Sequence, residues 1–127
     1  MSELQRFGIV GTSRKENERR VPIHPVHFDR IPGAVARRLL FERGYGEPFG
    51  VSDEFLEKRF AGVADRADLL ESCDGVLLPK PVEEDLRELR EGAVLWGWPH
   101  CVQQREITDL AVERNQTMLA FEAMYLW

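Results

Sequence analysis

Short apolar segments of strand length recur along this chain, and stretches with helical patterns separate them. The clear segments are residues 7–10, 38–41, 75–78, 93–96 and 118–121, with a weaker one at 62–64. Several are continuously apolar instead of alternating, which is typical of strands covered on both faces of a sheet. The pattern therefore predicts βαβ units and a doubly wound α/β fold, with a mainly parallel sheet and helices on both faces.

Capping signals mark where the helices begin and end. Ser52 precedes two acidic residues, which predicts a helix that starts there. Pro81 suits the first position of a helix over residues 82–89. Residues 103–115 have an apolar stripe at helical spacing, and Asn115 can end that helix.

Composition limits the class of protein. A chain of 127 residues fits one domain, and a net charge of −5 argues against a nucleic-acid surface or an anionic membrane as partner. No apolar run approaches the roughly 18 residues of a membrane span, and the N-terminus lacks a signal-peptide layout. Cys73 and Cys101 form no CxxC pair, so we expect reduced thiols in a cytoplasmic protein.

Basic side chains follow three of the predicted strands. Arg19 and Arg20 lie in the long polar loop after the first strand, Lys80 follows the fourth, and His100 follows the fifth. In parallel α/β sheets ligands bind outside the carboxyl ends of the strands, so we expect Arg20, Lys80 and His100 to converge at one sheet edge.

The three residue types suit the chemistry of a small acid. A guanidinium binds a carboxylate through two parallel hydrogen bonds. A lysine beside it can polarise a carbonyl group or hold a second oxygen, and Pro79 and Pro81 make the backbone around Lys80 rigid. A histidine is the natural proton donor and acceptor near neutral pH. Together they fit a 2-oxo acid or amino acid that reacts at its carbonyl carbon.

Each of these residues also has a purely structural interpretation. Arg20 alone could be a surface ion-pair partner, Lys80 a loop lysine, and His100 a hydrogen-bonded packing residue. His24 and His27 have helical spacing but no third ligand nearby, so they do not predict a metal site.

Three further patterns predict structure. Residues 44–50 are glycine-rich but lack the GxGxxG spacing of a dinucleotide-binding loop, and we interpret them as a turn. The acidic run over residues 83–91 predicts a solvated helix face. Trp96 and Trp98 alternate along a strand and are expected to contribute to the core and to a pocket wall.

Four motifs carry a resemblance to a known family. In order they are "KENERRVPIHP", "LLFERGYGEPFGVSDEFLEKRFAG", "VLLPKP" and "LREGAVLWGWPH". They resemble the N-terminal domain of the alanine dehydrogenase/pyridine nucleotide transhydrogenase family over essentially the whole chain. Within the family these motifs most resemble those of the opine-forming branch, the N5-(carboxyethyl)ornithine synthases.

The resemblance implies a two-domain NAD(P)-dependent oxidoreductase whose first domain binds the substrate. It implies that Arg20 binds the substrate carboxylate, that Lys80 contacts the substrate, and that His100 is the general acid/base. Arg19 is expected to face solvent or, in an opine-type enzyme, to help with a second carboxylate. The residues around Lys80 depart from the pattern typical of alanine dehydrogenases, which argues against alanine as the substrate.

Residues 1–127 are expected to be this substrate-binding domain, truncated at an apolar end. The Rossmann domain that binds most of NAD or NADP is absent, and it would be supplied in cis or as a separate subunit. The expected partners are a 2-oxo acid and an amino acid, with a homo-oligomer also compatible. The alternatives are an alanine dehydrogenase proper, a stand-alone module that binds a carboxylate or a protein, and a transhydrogenase-subunit fragment.

Overall fold

Six parallel strands form a single sheet in the order β3-β2-β1-β4-β5-β6. The structure is a computed structural model that describes residues 5–14, 18, 20–99 and 104–120. The strands are β1 Phe7–Ile9, β2 Leu39–Glu42, β3 Gly62–Ala64, β4 Gly75–Leu77, β5 Val94–Gly97 and β6 Thr117–Ala120. Each lies within one residue of its predicted segment, so the predicted parallel α/β sheet is confirmed.

Five α-helices and two 3₁₀ segments connect the described strands. They are α1 Gly33–Ala36, α2 Asp53–Arg59, α3 Arg66–Ser72, α4 Glu83–Glu88 and α5 Arg105–Glu113, with 3₁₀ turns at Pro25–Arg30 and Glu47–Phe49. The Ser52 hydroxyl accepts a hydrogen bond from the Phe55 N–H at 3.2 Å, which confirms the predicted start of α2. Asn115 has a φ of 56° just after α5 and ends that helix as expected.

The predicted start of α4 was wrong by two positions. Glu83, not Pro81, is the first helical residue, and Val82 is its N-cap. The Asp85 carboxylate reaches back to the Val82 N–H at 2.8 Å, and this bond fixes the cap one residue after the proline.

The prediction that residues 83–91 form a solvated helix face was also wrong at Asp85, whose side chain is fully buried. Its Oδ1 atom accepts hydrogen bonds from Arg14 at 2.5 Å and from Arg66 at 2.7 Å. A carboxylate can be buried when cations compensate its charge, and two guanidiniums do so here. Because Arg14 lies in the loop after β1, this cluster also attaches that loop to α4.

The sheet separates two apolar cores. Successive residues at the end of β1 point to opposite faces of the sheet. Val10, just after β1, packs in the core beneath α3, α4 and α5, and Ile9 packs in the core on the opposite face. The second core holds an aromatic group in which the ring of Phe28 lies 5.5 Å from Phe41 and 4.9 Å from Phe60, edge to face. Helices therefore cover both faces, as a doubly wound fold requires.

The topology places the carboxyl ends of β1, β4 and β5 side by side. β1 pairs with β2 on one side and with β4 on the other, and β5 pairs with β4. At the β4–β5 end the backbones approach closely, and the Trp98 N–H donates to the Pro79 carbonyl at 2.7 Å. Gly97 permits this approach, because a Cβ there would lie 1.9 Å from the Leu78 carbonyl oxygen.

Three further observations concern the described residues alone. No helix among them is long and apolar enough to cross a membrane. No group of three histidine, cysteine or acidic side chains in the same part of the chain is arranged to hold a metal ion. Cys73 is a free thiol, and burial raises its pKa.

Candidate active site

Arg20 and Lys80 meet at the carboxyl edge of the sheet, on either side of Glu18. The Arg20 guanidinium forks onto the Glu18 carboxylate, with Nε 2.9 Å from Oε1 and Nη2 3.0 Å from Oε2. The Lys80 ammonium lies 3.7 Å from the same Oε2 atom. Two of the three basic residues that the sequence predicted to converge are therefore brought together by an acidic one.

Trp98 supports the guanidinium from one face. The Arg20 Cζ atom lies 4.4 Å from the centre of the Trp98 ring, which is a cation–π contact. With its Nε/Nη2 edge on Glu18 and one face on Trp98, the guanidinium is fixed in orientation. Its Nη1 atom makes no hydrogen bond to a described residue, and the side chain is half exposed. A free guanidinium edge of this kind is what a ligand carboxylate needs.

Glu18 is a residue of the candidate site that the sequence alone did not single out. Its side chain is only 6% exposed, and the hydrogen bonds from Arg20 lower its pKa to about 2 against the opposing effect of burial, with Lys80 adding a smaller contribution. The same contact raises the pKa of Arg20. The available signal was the position of Glu18, two residues before Arg20 and close enough for a local ion pair. The Arg20 N–H also donates to Glu18, at 3.0 Å.

Glu42 ties the loop after β1 to the end of β2. One carboxylate oxygen accepts the N–H groups of Gly11 at 2.9 Å and Thr12 at 3.0 Å, and the Thr12 hydroxyl lies 2.8 Å from the other. Farther along this loop, the Ser13 hydroxyl reaches the Lys80 carbonyl at 3.5 Å. The loop after β1 therefore contacts the end of β2 on one side and the segment after β4 on the other.

The same contacts decide whether this domain can hold a dinucleotide. In a Rossmann domain, backbone N–H groups after the first strand and at the start of the next helix bind the pyrophosphate. Here the N–H groups of Gly11 and Thr12 are engaged by the Glu42 carboxylate, which would repel a phosphate. At the loop after β1 the described residues therefore do not fit the pyrophosphate of a nicotinamide dinucleotide, although the strand order is the one common to that fold.

A cavity of about 410 Å³ lies beside Glu18, between the loop after β1 and the turn after β2. Its polar lining includes Thr12, Glu18 and Glu42, and its apolar lining includes Tyr45 and Phe49. Glu18 and Val21 belong to its lining, whereas Arg20 and Lys80 do not.

The remaining predicted site residues have different outcomes. Arg19 and His100 lie outside the described residues, so their roles stay predictions. His24 uses its Nδ1 atom to accept the Val26 N–H at 3.1 Å, and its ring centre lies 6.5 Å from that of His27. Residues 44–50 form a turn that includes a short 3₁₀ segment, as interpreted from the sequence.

Comparisons with known proteins agree with this architecture. Residues 9–126 match the family model described as the alanine dehydrogenase/PNT N-terminal domain. Two solved structures share the fold at 22% identity. A transhydrogenase from Sinorhizobium meliloti has a TM-score of 0.76 and is matched over 93% of this chain and 35% of its own. An L-alanine dehydrogenase has a TM-score of 0.78, with 96% and 34% covered.

Curated relatives are similar in sequence over most of the chain. An N(5)-(carboxyethyl)ornithine synthase from Clostridium botulinum is 32% identical over 85 residues, which are 66% of this chain and 26% of that protein. An alanine dehydrogenase from Mycolicibacterium smegmatis is 26% identical over 117 residues, or 91% of this chain and 31% of the relative. The chain therefore spans about a quarter to a third of the proteins it matches.

Proposed function

Because the chain belongs to the alanine dehydrogenase/PNT N-terminal domain family, we propose that it is the substrate-binding part of an NAD(P)-dependent oxidoreductase acting on CH–NH bonds. In the reductive direction an amino acid condenses with a 2-oxo acid such as pyruvate, in an opine-type reaction like that of the N5-(carboxyethyl)ornithine synthases. A cytoplasmic location goes with this proposal.

The observation that carries the proposal is the pairing of Arg20 and Lys80 at one sheet edge. Glu18 lies between them, 2.9 Å from the Arg20 Nε atom and 3.7 Å from the Lys80 ammonium. Two cations that already share one carboxylate are spaced to receive the carboxylate of a ligand. The free edge of Arg20 binds it, and Lys80 holds the second oxygen or the 2-oxo group.

The chain's own residues bind and orient the acid, and His100 is proposed to move the proton as the imine forms. The nicotinamide cofactor, NAD or NADP, supplies the reducing chemistry and is bound mainly by a domain outside this chain. That domain is in the same polypeptide or in a separate subunit. Because the Glu42 carboxylate already accepts hydrogen bonds from the N–H groups of the loop after β1, we assign no cofactor contact to the described residues.

The direct test is pyruvate binding to the complete protein by equilibrium dialysis. Arg20→Gln removes the guanidinium fork, and we expect the loss of about 2–4 kcal/mol of binding free energy. Arg87→Gln is the matched control, since Arg87 pairs with Glu83 at 3.3 Å on the exposed face of α4. Unchanged pyruvate affinity in Arg20→Gln would contradict the proposed site.

An alanine dehydrogenase proper is the second candidate, because the match to such enzymes covers 91% of the chain against 66% for the synthase. Ammonia would then replace the amino acid as the amine. Activity of the complete protein with pyruvate plus ammonia, compared with pyruvate plus ornithine, distinguishes the two reactions. A protein that binds pyruvate but reduces it with neither amine would instead be the stand-alone binding module.

His100 provides a separate test of the chemistry. In the complete enzyme, His100→Ala should lower kcat by about 10²–10⁴-fold, because a positioned acid/base contributes on that scale. His27→Ala is the control, since His27 is exposed and has no proposed role. A kcat near that of the parent enzyme would mean that another group moves the proton.

A further inference from the structure

The two ends of the loop that carries Arg20 meet on a single side chain, Tyr45. At the start of the loop, Gly11 packs against the Tyr45 ring, so closely that a Cβ there would lie 2.8 Å from Cδ2. At the far end, the Tyr45 hydroxyl donates to the Ile23 carbonyl at 2.6 Å and accepts the Ile23 N–H at 2.9 Å. One tyrosine therefore holds both polar groups of the Ile23 backbone.

The chain between Ile23 and Arg20 is stiff. Pro22 has a fixed φ, and a residue that precedes a proline is restricted to extended conformations, so Val21 has little freedom. Val21 and Ile23 also pack against the apolar core on this face of the sheet. Where Ile23 is held, the position of the Arg20 backbone is consequently restricted too.

Tyr45 is itself well anchored. Its side chain is 4% exposed, its ring centre lies 4.9 Å from that of Phe41, and its N–H donates to the Glu42 carbonyl at 2.9 Å. Burial raises the pKa of the hydroxyl, which therefore stays protonated and able to donate at neutral pH. Tyr45 is therefore packed firmly against the sheet, and its hydroxyl is hydrogen-bonded to the loop.

We propose that Tyr45 is a positioning residue for substrate carboxylate binding, acting through Ile23 to hold Arg20 against Glu18 and Trp98. This inference rests on the proposed function, because it requires that Arg20 binds the acid. Tyr45 need not touch the substrate. Its hydroxyl sets where the guanidinium lies, and the guanidinium sets the affinity.

The test compares four variants of the complete protein in pyruvate dialysis, well below each measured Tm. Tyr45→Phe keeps the ring and removes the hydroxyl, and we expect about a tenfold weaker pyruvate affinity. Arg20→Gln tests the proposed function itself. Arg59→Met is the control, because Arg59 likewise holds two backbone carbonyls, of Phe28 and Ile31 at 3.1 and 3.2 Å.

Gly11→Ala is the fourth variant, and it remains informative if Tyr45→Phe does not fold. Its methyl group pushes on the Tyr45 ring and moves the hydroxyl away from Ile23, so it should also weaken pyruvate binding. In turnover assays, Tyr45→Phe should raise the KM for pyruvate about tenfold with kcat within twofold. Arg20 is used alike in the bound and transition states, so its displacement affects binding more than the chemical step.

The outcomes separate the two claims. Weaker binding in Arg20→Gln and Tyr45→Phe, with Arg59→Met unchanged, supports the positioning role. Loss in Arg20→Gln with parental affinity in Tyr45→Phe overturns it and leaves the proposed function standing. Parental affinity in Arg20→Gln overturns the proposed function, and this inference with it. Equal weakening in Tyr45→Phe and Arg59→Met overturns the specific role, since general destabilisation then accounts for both.

Discussion

At the scale of single residues, Glu18 is the centre of the site. Its carboxylate is almost fully buried, and two cations hold it. In the proposed function, a substrate acid would therefore meet a guanidinium and an ammonium whose charge Glu18 already partly compensates. In the proposed complex the acid binds the Nη1 side of the Arg20 guanidinium and the Lys80 ammonium, beside the existing Glu18 contact.

The depressed pKa of Glu18 predicts a dependence of stability on pH. Its pKa falls from an ordinary 4.5 to about 2 in the folded chain, so its stabilising effect is complete above pH 4.5 and is lost as the pH falls toward 2. Glu18→Gln removes this dependence. Between pH 5 and pH 2.5 we expect the Tm of the parent protein to fall more than that of Glu18→Gln, and equal slopes would contradict the assignment.

At the scale of elements, α4 depends on a buried charge. Asp85 caps the helix and binds Arg14 and Arg66. Removing one partner from such a cluster leaves uncompensated charges, so Asp85→Ala should lower the free energy of unfolding by about 3–5 kcal/mol. Chemical denaturation measures this effect.

Glu83→Ala on the same helix is the control for that experiment, because its pair with Arg87 is exposed. It should cost no more than about 0.5 kcal/mol. A similar loss in both variants would contradict the role of the buried cluster, because alanine is the best helix former and helix propensity alone would not destabilise either variant.

The contact between β4 and β5 predicts a second element-scale result. A methyl group at Gly97 would overlap the Leu78 carbonyl oxygen, which is backbone and cannot rotate away. Gly97→Ala should therefore cost about 3 kcal/mol or more. Gly33→Ala, where a Cβ meets nothing within 4 Å, should be neutral or slightly stabilising. Thermal melts of the parent and of both variants measure these effects. A Gly97→Ala protein as stable as the parent would mean that the strand ends separate easily.

At the scale of the whole molecule, the chain corresponds to one part of the longer proteins it matches. It matches relatives over 26–31% of their length, and Glu42 engages the loop where a dinucleotide would bind. We therefore expect no oxidation of NADH or NADPH by the isolated polypeptide with pyruvate plus ammonia or ornithine. The loss of NADH or NADPH absorbance measures this. Robust turnover would contradict the proposal that a domain outside this chain binds most of the cofactor.

The sequence predicts the sheet well because its strands are continuous apolar runs, and burial on both faces leaves few other structures for such runs. It also brings Arg20 and Lys80 to one edge, since parallel strand ends must meet there. It does not predict the role of Asp85 or Glu18. A charged residue is ordinarily solvated, and its burial depends on partners such as Arg66 or Lys80 that lie far away along the chain.

The strand order also has a consequence for synthesis. β1 pairs with β2 soon after both have formed, but its other partner begins only at Gly75. At about 5–20 residues per second, the ribosome needs about 2–7 s to proceed from the end of β2 to the end of β4. Through that interval the central strand has an unpaired edge, which is a template for pairing with another chain. The nascent polypeptide is therefore most prone to aggregate before residue 77 emerges, and a chaperone that covers strand edges would protect it during that time.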